Sequence, residues 1–284
     1  MKIAFVTDTG TGQHPDYWKE KGIYCLPLQI TCDNESKDEY TEITYPEVIQ
    51  KLHEKKVLKT SLPSLGKIQD CFEKLKNEGY DTIFAVPICR GLSGTLDSME
   101  MIANQLEMKF VGVDCYCTAV EQGCMIETAK KMYEESVSLD EIIKKLQSIA
   151  DSCETVLLCD DLDHMKRGGR LTPMAAALGG LLKIKPILSF EKENGEIYVP
   201  SKVRGNKKVK SKLVELIEKH LEDHPHQKFT LAIADGNNLE ERNELEKMLK
   251  EKFPTFEYII DGHVGAALSC YLGSGLLGVA IQFI

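Results

Sequence analysis

The chain has 284 residues, 43% hydrophobic and 28% charged, with a formal net charge of −9 at pH 7. That balance belongs to a soluble globular protein with length for about two domains, and no stretch approaches the ~18 consecutive apolar residues that span a bilayer. Net acidity excludes an extended phosphate-tracking surface, and ten cysteines diluted over a long chain read as reduced, buried thiols and not as a disulfide framework.

Residues 1–10 hold one lysine and an apolar run that stops at Asp8. They read as a first strand over 2–7 and not as a signal peptide, which places the protein in the cytoplasm. Ile68, Phe72 and Leu75 mark an amphipathic helix with Ser64 as its N-cap. Apolar strands are expected at 82–88 and 109–114, with a helix between them that carries Leu96, Met99, Ile102 and Ala103. Helices over 118–133 and 139–150 follow. Strands separated by helix-length segments predict βα units on a mostly parallel sheet, and ligands of such sheets bind beyond the C-terminal strand ends.

The pattern restarts with a strand over 155–159, so the expected domains are 1–153 and 154–284. The second half predicts a short helix or two turns at 173–182, then a hairpin of 185–190 and 196–200 around Glu193-Asn194-Gly195. Helices near 207–222 and 239–252 and strands at 229–234, 256–260 and 277–283 complete it.

Catalytic signatures are missing. The chain contains neither GxSxG nor GxxxxGK[ST], and Cys115-Tyr116-Cys117 is too closely spaced for a zinc knuckle. Asp160, Asp161 and Asp163 beside His164 resemble a metal cluster, and a metal-dependent hydrolase is the weaker alternative they leave open. A basic cluster (Lys166, Arg167, Arg170, Lys183, Lys185, Lys202, Arg204, Lys207, Lys208) lacks a helix-turn-helix frame or an aromatic platform, so no nucleic-acid partner is expected. It reads either as a solvated surface or as a face that steers an acidic or phosphate-bearing partner.

Four stretches together resemble the DegV family: Val6-Thr7-Asp8-Thr9, Thr60-Ser61-Leu62-Pro63-Ser64, Leu92-Ser93-Gly94-Thr95, and 171–186 preceded by Lys166-Arg167-Gly168-Gly169-Arg170. The resemblance covers essentially the whole chain. It implies an α/β protein with an N-terminal three-layer parallel-sheet domain and a smaller C-terminal α/β sheet domain, and a ligand tunnel between them for one long-chain fatty acid. It further implies a bacterial carrier that does no chemistry, needs no cofactor or metal, and presents the fatty-acid carboxylate to a separate fatty-acid kinase for phospholipid synthesis. A monomer with transient membrane contact is the expectation. The alternative is a lipid-binding or sensing protein with altered head-group specificity.

Carried over residue by residue, the resemblance puts the carboxylate against Thr60, Ser61, Ser93, Gly94 and Thr95. Arg170, with Lys166, Arg167 and Arg204 around it, would face the kinase. Three departures alter the pocket. Arg90 stands where the family has a small polar residue and is a candidate head-group donor or an outward-pointing side chain. Cys115 and Ala119 replace hydroxyls on the pocket wall. Aligned on Gly273-Ser274-Gly275, the family's C-terminal histidine falls on Tyr271, and His263 reads as a turn or surface residue. The segment 175–182 is read as an element covering the acyl tunnel.

Overall fold

The computed structural model describes residues 2–159, 165, 169–170, 184–205, 208–225, 227–236, 238–254, 256, 259–262 and 264–283. The first half runs β1 (Ile3–Asp8), a 3-10 turn (Thr9–Thr11), α1 (Pro15–Glu20), β2 (Tyr24–Leu26), β3 (Gln29–Cys32), β4 (Glu35–Asp38), α2 (Tyr45–His53) and β5 (Leu58–Ser61). It continues with α3 (Leu65–Asn77), β6 (Thr82–Ala85), α4 (Thr95–Gln105), β7 (Lys109–Gly112), α5 (Ala119–Glu134) and α6 (Leu139–Ser152). The second half holds β8 (Glu154–Leu158), β9 (Ile184–Phe190), β10 (Ile197–Arg204), α7 (Val209–Glu222), β11 (Phe229–Asp235), α8 (Leu239–Lys252), β12 (Ile259–Gly262), α9 (Ala266–Leu272) and β13 (Leu277–Phe283).

The N-terminal domain is built on a parallel sheet of order β2-β1-β6-β7. All six residues of β1 are buried, because helices cover both faces and a parallel strand then reads as one apolar run. Ala4 and Val6 face Ile68 and Phe72 of α3 and Met99 of α4. Ile3 and Phe5 face the other way, toward Met125 and Ile126 of α5 and Leu146 of α6. That is the expected three-layer arrangement. Ser64 caps α3 as anticipated, accepting from the Lys67 N–H at 3.3 Å.

The C-terminal sheet has order β10-β9-β8-β13-β11-β12, antiparallel except for the β11–β12 pair. Side chains alternate across it. Val156, Ile187, Leu231 and Val279 pack under α7 and α8 through Leu213, Ile217, Leu245 and Leu249. Leu157, Leu188 and Phe190 point to the opposite face, join the N-terminal core and meet α9 through Leu268 and Leu272. The two domains therefore share one apolar cluster at their junction.

A third sheet, β4-β3-β5, is antiparallel and was not expected. Its strands are four residues long and two of them read Glu-Ser-Lys-Asp and Leu-Lys-Thr-Ser, with no alternation to announce a buried face. β12 lies at Ile259–Gly262, slightly beyond the expected 256–260. The segments 160–164 and 171–183, with the acidic cluster and the anticipated tunnel cover, lie outside the described residues, as do Lys166, Arg167, Lys207 and His263.

Candidate functional site

Between the domains lies a channel whose described lining includes Leu28, Ile88 and Leu92 from the N-terminal domain and Leu157, Leu188 and Phe190 from the C-terminal sheet. A second space adjoins it and shares Thr118, Leu157, Phe190, Leu268 and Leu272 with it. The deep part runs over small residues: Ala232, Ala234, Gly278 and Ala280. Register explains this floor, since Leu157 pairs with Gly278, Gly278 with Ala234, and Ala280 with both Thr155 and Ala232. From β9 through β8 and β13 to β11 the floor crosses three strand spacings, about 14 Å.

Polar groups collect at one end. Thr60, Ser61, Ser93, Arg170 and Tyr271 all line the larger space. Thr60 and Ser61 end β5, while Ser93 sits in the loop between β6 and α4. The Thr60 N–H donates to the Tyr271 hydroxyl at 3.2 Å, and the Thr60 and Tyr271 hydroxyls lie 2.5 Å apart. The Ser93 and Thr95 hydroxyls are 2.8 Å apart, and the Ser61 hydroxyl donates to Gln29 Oε1 at 3.4 Å. Arg170 follows Gly169, whose φ of +71° is a left-handed conformation that glycine adopts without strain. Its Nε donates to the Leu92 carbonyl at 3.4 Å, and its guanidinium carbon lies 5.5 Å from the Tyr271 ring centroid. An acid group entering here would meet hydroxyl donors and one cation.

Two buried carboxyls hold this end together. Glu39 accepts from the Thr9 hydroxyl and, at 2.8 Å, from the Ala267 N–H at the start of α9. It thereby ties the N-terminal domain to the helix that carries Leu268, Tyr271 and Leu272. Burial raises its carboxyl to about 7 against those hydrogen bonds, with neighbouring Asp8 adding to the rise. Burial also raises Asp8 to about 6, opposed by hydrogen bonds from Gln122, Gly10 and Ile88. Neither residue lines the channel; both position the elements that do.

The deep end carries one more acid. Glu121, in the first turn of α5, is 2% exposed and lines the second space. Its Oε1 accepts from the Thr155 hydroxyl of β8. Burial pushes its carboxyl well above the usual carboxylate range; Cys153 and Glu154 add to the rise and Lys192 opposes it.

The expected site residues separate clearly. Thr60, Ser61, Ser93, Tyr271 and Arg170 come together. Thr95 reaches the site through Ser93, and Gly94 is the N-cap of α4 with a φ of −78°. Ala119 is part of the deep wall and holds a left-handed φ of 56°, a strain of order 1 kcal/mol. Arg90 and Cys115 are not among the described lining residues, and Arg90 takes the outward-pointing alternative. Arg90 bonds Asp97 at 2.8 Å and lies 3.9 Å from both Glu100 and Asp114. Cys115 is buried, its thiol directed at the Pro87 and Cys117 carbonyls. Arg204 is exposed on β10.

Among the described residues no group of three His, Cys, Asp or Glu side chains could hold a metal ion, and no helix is long and apolar enough to cross a membrane. All ten cysteines are free.

Fold and site together define a two-domain α/β protein with an oily interdomain channel closed at one end by hydroxyls and a guanidinium. The sequence profile of the DegV family matches residues 2–283, and the chain belongs to that family. It is 32% identical over 283 residues to a DegV domain-containing protein of Listeria monocytogenes, covering 98% of this chain and 97% of the relative. A fatty acid binding DegV family protein from Streptococcus agalactiae superposes with a TM-score of 0.88 at 28% identity, covering 99% of both chains. DegV from Bacillus subtilis, described as a fatty acid binding protein, superposes with a TM-score of 0.86 at 27% identity over the full length of both.

Proposed function

We propose that the protein holds one long-chain fatty acid between its domains, taken as 1–153 and 154–284, with the carboxylate at Thr60, Ser61, Ser93 and Tyr271 and with Arg170 beside it to face the kinase. One observation carries the reading: a mostly apolar space between the domains with four hydroxyls and a guanidinium gathered at its mouth. Such a channel suits an amphiphile, because each buried methylene contributes ~0.8 kcal/mol while the acid group needs fixed donors. The fatty-acid-binding relatives from Streptococcus agalactiae and Bacillus subtilis support it.

The finer reading is a cytoplasmic, monomeric carrier that does no chemistry and presents the carboxylate to a separate fatty-acid kinase. Arg170 lines the channel's polar end, where it would meet the acid group as phosphate is added. The test has two stages. Protein purified without added lipid is extracted and its ligand identified by mass spectrometry; a long-chain acid at about one per chain is expected, and a lipid-free protein that binds none on addition refutes the reading. Acyl-phosphate formation is then measured with a fatty-acid kinase, comparing the protein with its Arg170→Gln variant. Loss of product with retained lipid binding is the expected result.

A further inference from the structure

The deep part of the channel is not wholly apolar. Val264, Leu276, Val279 and the alanines of β11 and β13 form most of its described wall, yet Glu121 and Thr155 line it too. An unadorned hydrocarbon tail gains nothing from a carboxyl group. It leaves that group's remaining hydrogen-bonding capacity unmet in a low-dielectric space, which opposes binding.

Burial pushes the Glu121 carboxyl well above the usual carboxylate range, which favours its protonated form. A protonated carboxyl offers one O–H donor besides its acceptor oxygens. The Thr155 hydroxyl donates to Oε1 and the residue's own backbone N–H takes up further acceptor capacity, so the acid proton and the acceptor side of Thr155 remain for a third partner. Linking α5 to β8 requires only the one bond already made, which glutamine would make equally well.

Position along the ligand follows from the layout. Ser61, Ser93 and Arg170 belong to the space at the mouth, Glu121 and Thr155 only to the space beyond the shared wall of Leu157, Phe190 and Leu272. The partner must then sit on the chain well away from the carboxyl group.

We infer that the preferred ligand is a long-chain fatty acid bearing a hydroxyl on its interior or distal carbons, held there by Glu121 and Thr155. This rests on the fatty-acid reading above and deepens it by naming the substrate class. The ligand hydroxyl accepts from Glu121 and donates to the Thr155 oxygen, so the polar pair is satisfied only when the hydroxyl is present.

The experiment measures binding of octadecanoic, 3-hydroxyoctadecanoic and 12-hydroxyoctadecanoic acids by calorimetry to the delipidated protein and to its Glu121→Leu, Glu121→Gln and Thr155→Val variants. The wild type should bind the 12-hydroxy acid about tenfold more tightly than octadecanoic acid, the worth of one well-made buried hydrogen bond, with no such gain for the 3-hydroxy acid. Glu121→Leu and Thr155→Val should each bring that ratio toward one, and Glu121→Gln should retain most of it. If Glu121→Leu does not fold, Thr155→Val carries the comparison. Equal binding of the hydroxylated and plain acids by the wild type, or a preference that survives both apolar variants, overturns the inference and leaves the fatty-acid reading standing. A wild type that binds none of the three acids refutes the fatty-acid reading itself.

Discussion

Ala280→Leu should shorten the tail of the channel by a calculable amount. Ala280 lies on β13 between Thr155 of β8 and Ala232 of β11 in register, is 6% exposed, and lines the deep space. Leucine adds about three carbons there and displaces a similar length of ligand tail. At ~0.8 kcal/mol per methylene the longest acid accepted by the wild type should lose about 2.4 kcal/mol, roughly 60-fold in Kd. An acid about three carbons shorter, whose tail stops before Ala280, should bind as before. Displacement of a fluorescent fatty acid by a homologous series, run on both proteins, reads the difference directly. Thermal unfolding of the ligand-free forms controls for overpacking, which costs about 1–3 kcal/mol when the neighbours cannot give way. A loss that is uniform across chain lengths, or no loss at all, would refute the placement of the tail over this sheet.

Tyr271→Phe removes the hydroxyl shared with Thr60 and should weaken fatty-acid binding by about 0.5–1.5 kcal/mol, up to roughly tenfold, measurable by the same displacement assay. Gly91→Ala places a methyl 2.2 Å from the Gly195 carbonyl carbon and oxygen on the opposing hairpin. It should lower stability by about 1–3 kcal/mol in urea unfolding, and an unchanged midpoint would contradict the close approach of the domains. Glu39→Gln tests the buried acid. Its carboxyl rises from 4.5 to about 7 on folding, so the native state holds the proton more tightly, and its contribution is greatest below 4.5 and falls as pH climbs through 7. The stability of wild type relative to Glu39→Gln should therefore drop by about 3 kcal/mol between pH 4.5 and 7.5, and a flat difference would show that Glu39 is not buried as described.

Local patterning carried much of this fold. The buried run of β1, the 3.6-residue spacing of Ile68, Phe72 and Leu75, and the Asn194-Gly195 turn each state their element within a few residues, because burial on both faces, helical amphipathicity and a positive φ leave direct marks on residue choice. The Gly195 φ of +70° and its N–H bond to the Glu191 carbonyl at 2.8 Å are the turn that those two residues specify. The hydroxyls at Thr60, Ser61 and Ser93 were legible as residues just ahead of helix starts, and the family resemblance gave them one proposed purpose.

Other features belonged to the tertiary structure alone. The β4-β3-β5 sheet is made of short, polar strands that take shape only through pairing. Arg90 is drawn from the pocket by Asp97, Glu100 and Asp114, acids that stand 7 to 24 residues away in sequence and whose convergence no local pattern encodes. Glu39 meets Ala267 from 228 positions away, and Glu121 meets Thr155 across the domain junction. A lone glutamate in an acidic chain looks like surface; only packing takes Glu121 out of water and raises its carboxyl above the usual range. The sequence by itself determined the family and the elements with strong local patterning, such as β1, β6 and the helices that cover them, because those depend on neighbours along the chain. Where the channel runs, which acid faces it and what that acid can recognise depended on contacts between distant segments, and these exist only once the two domains close.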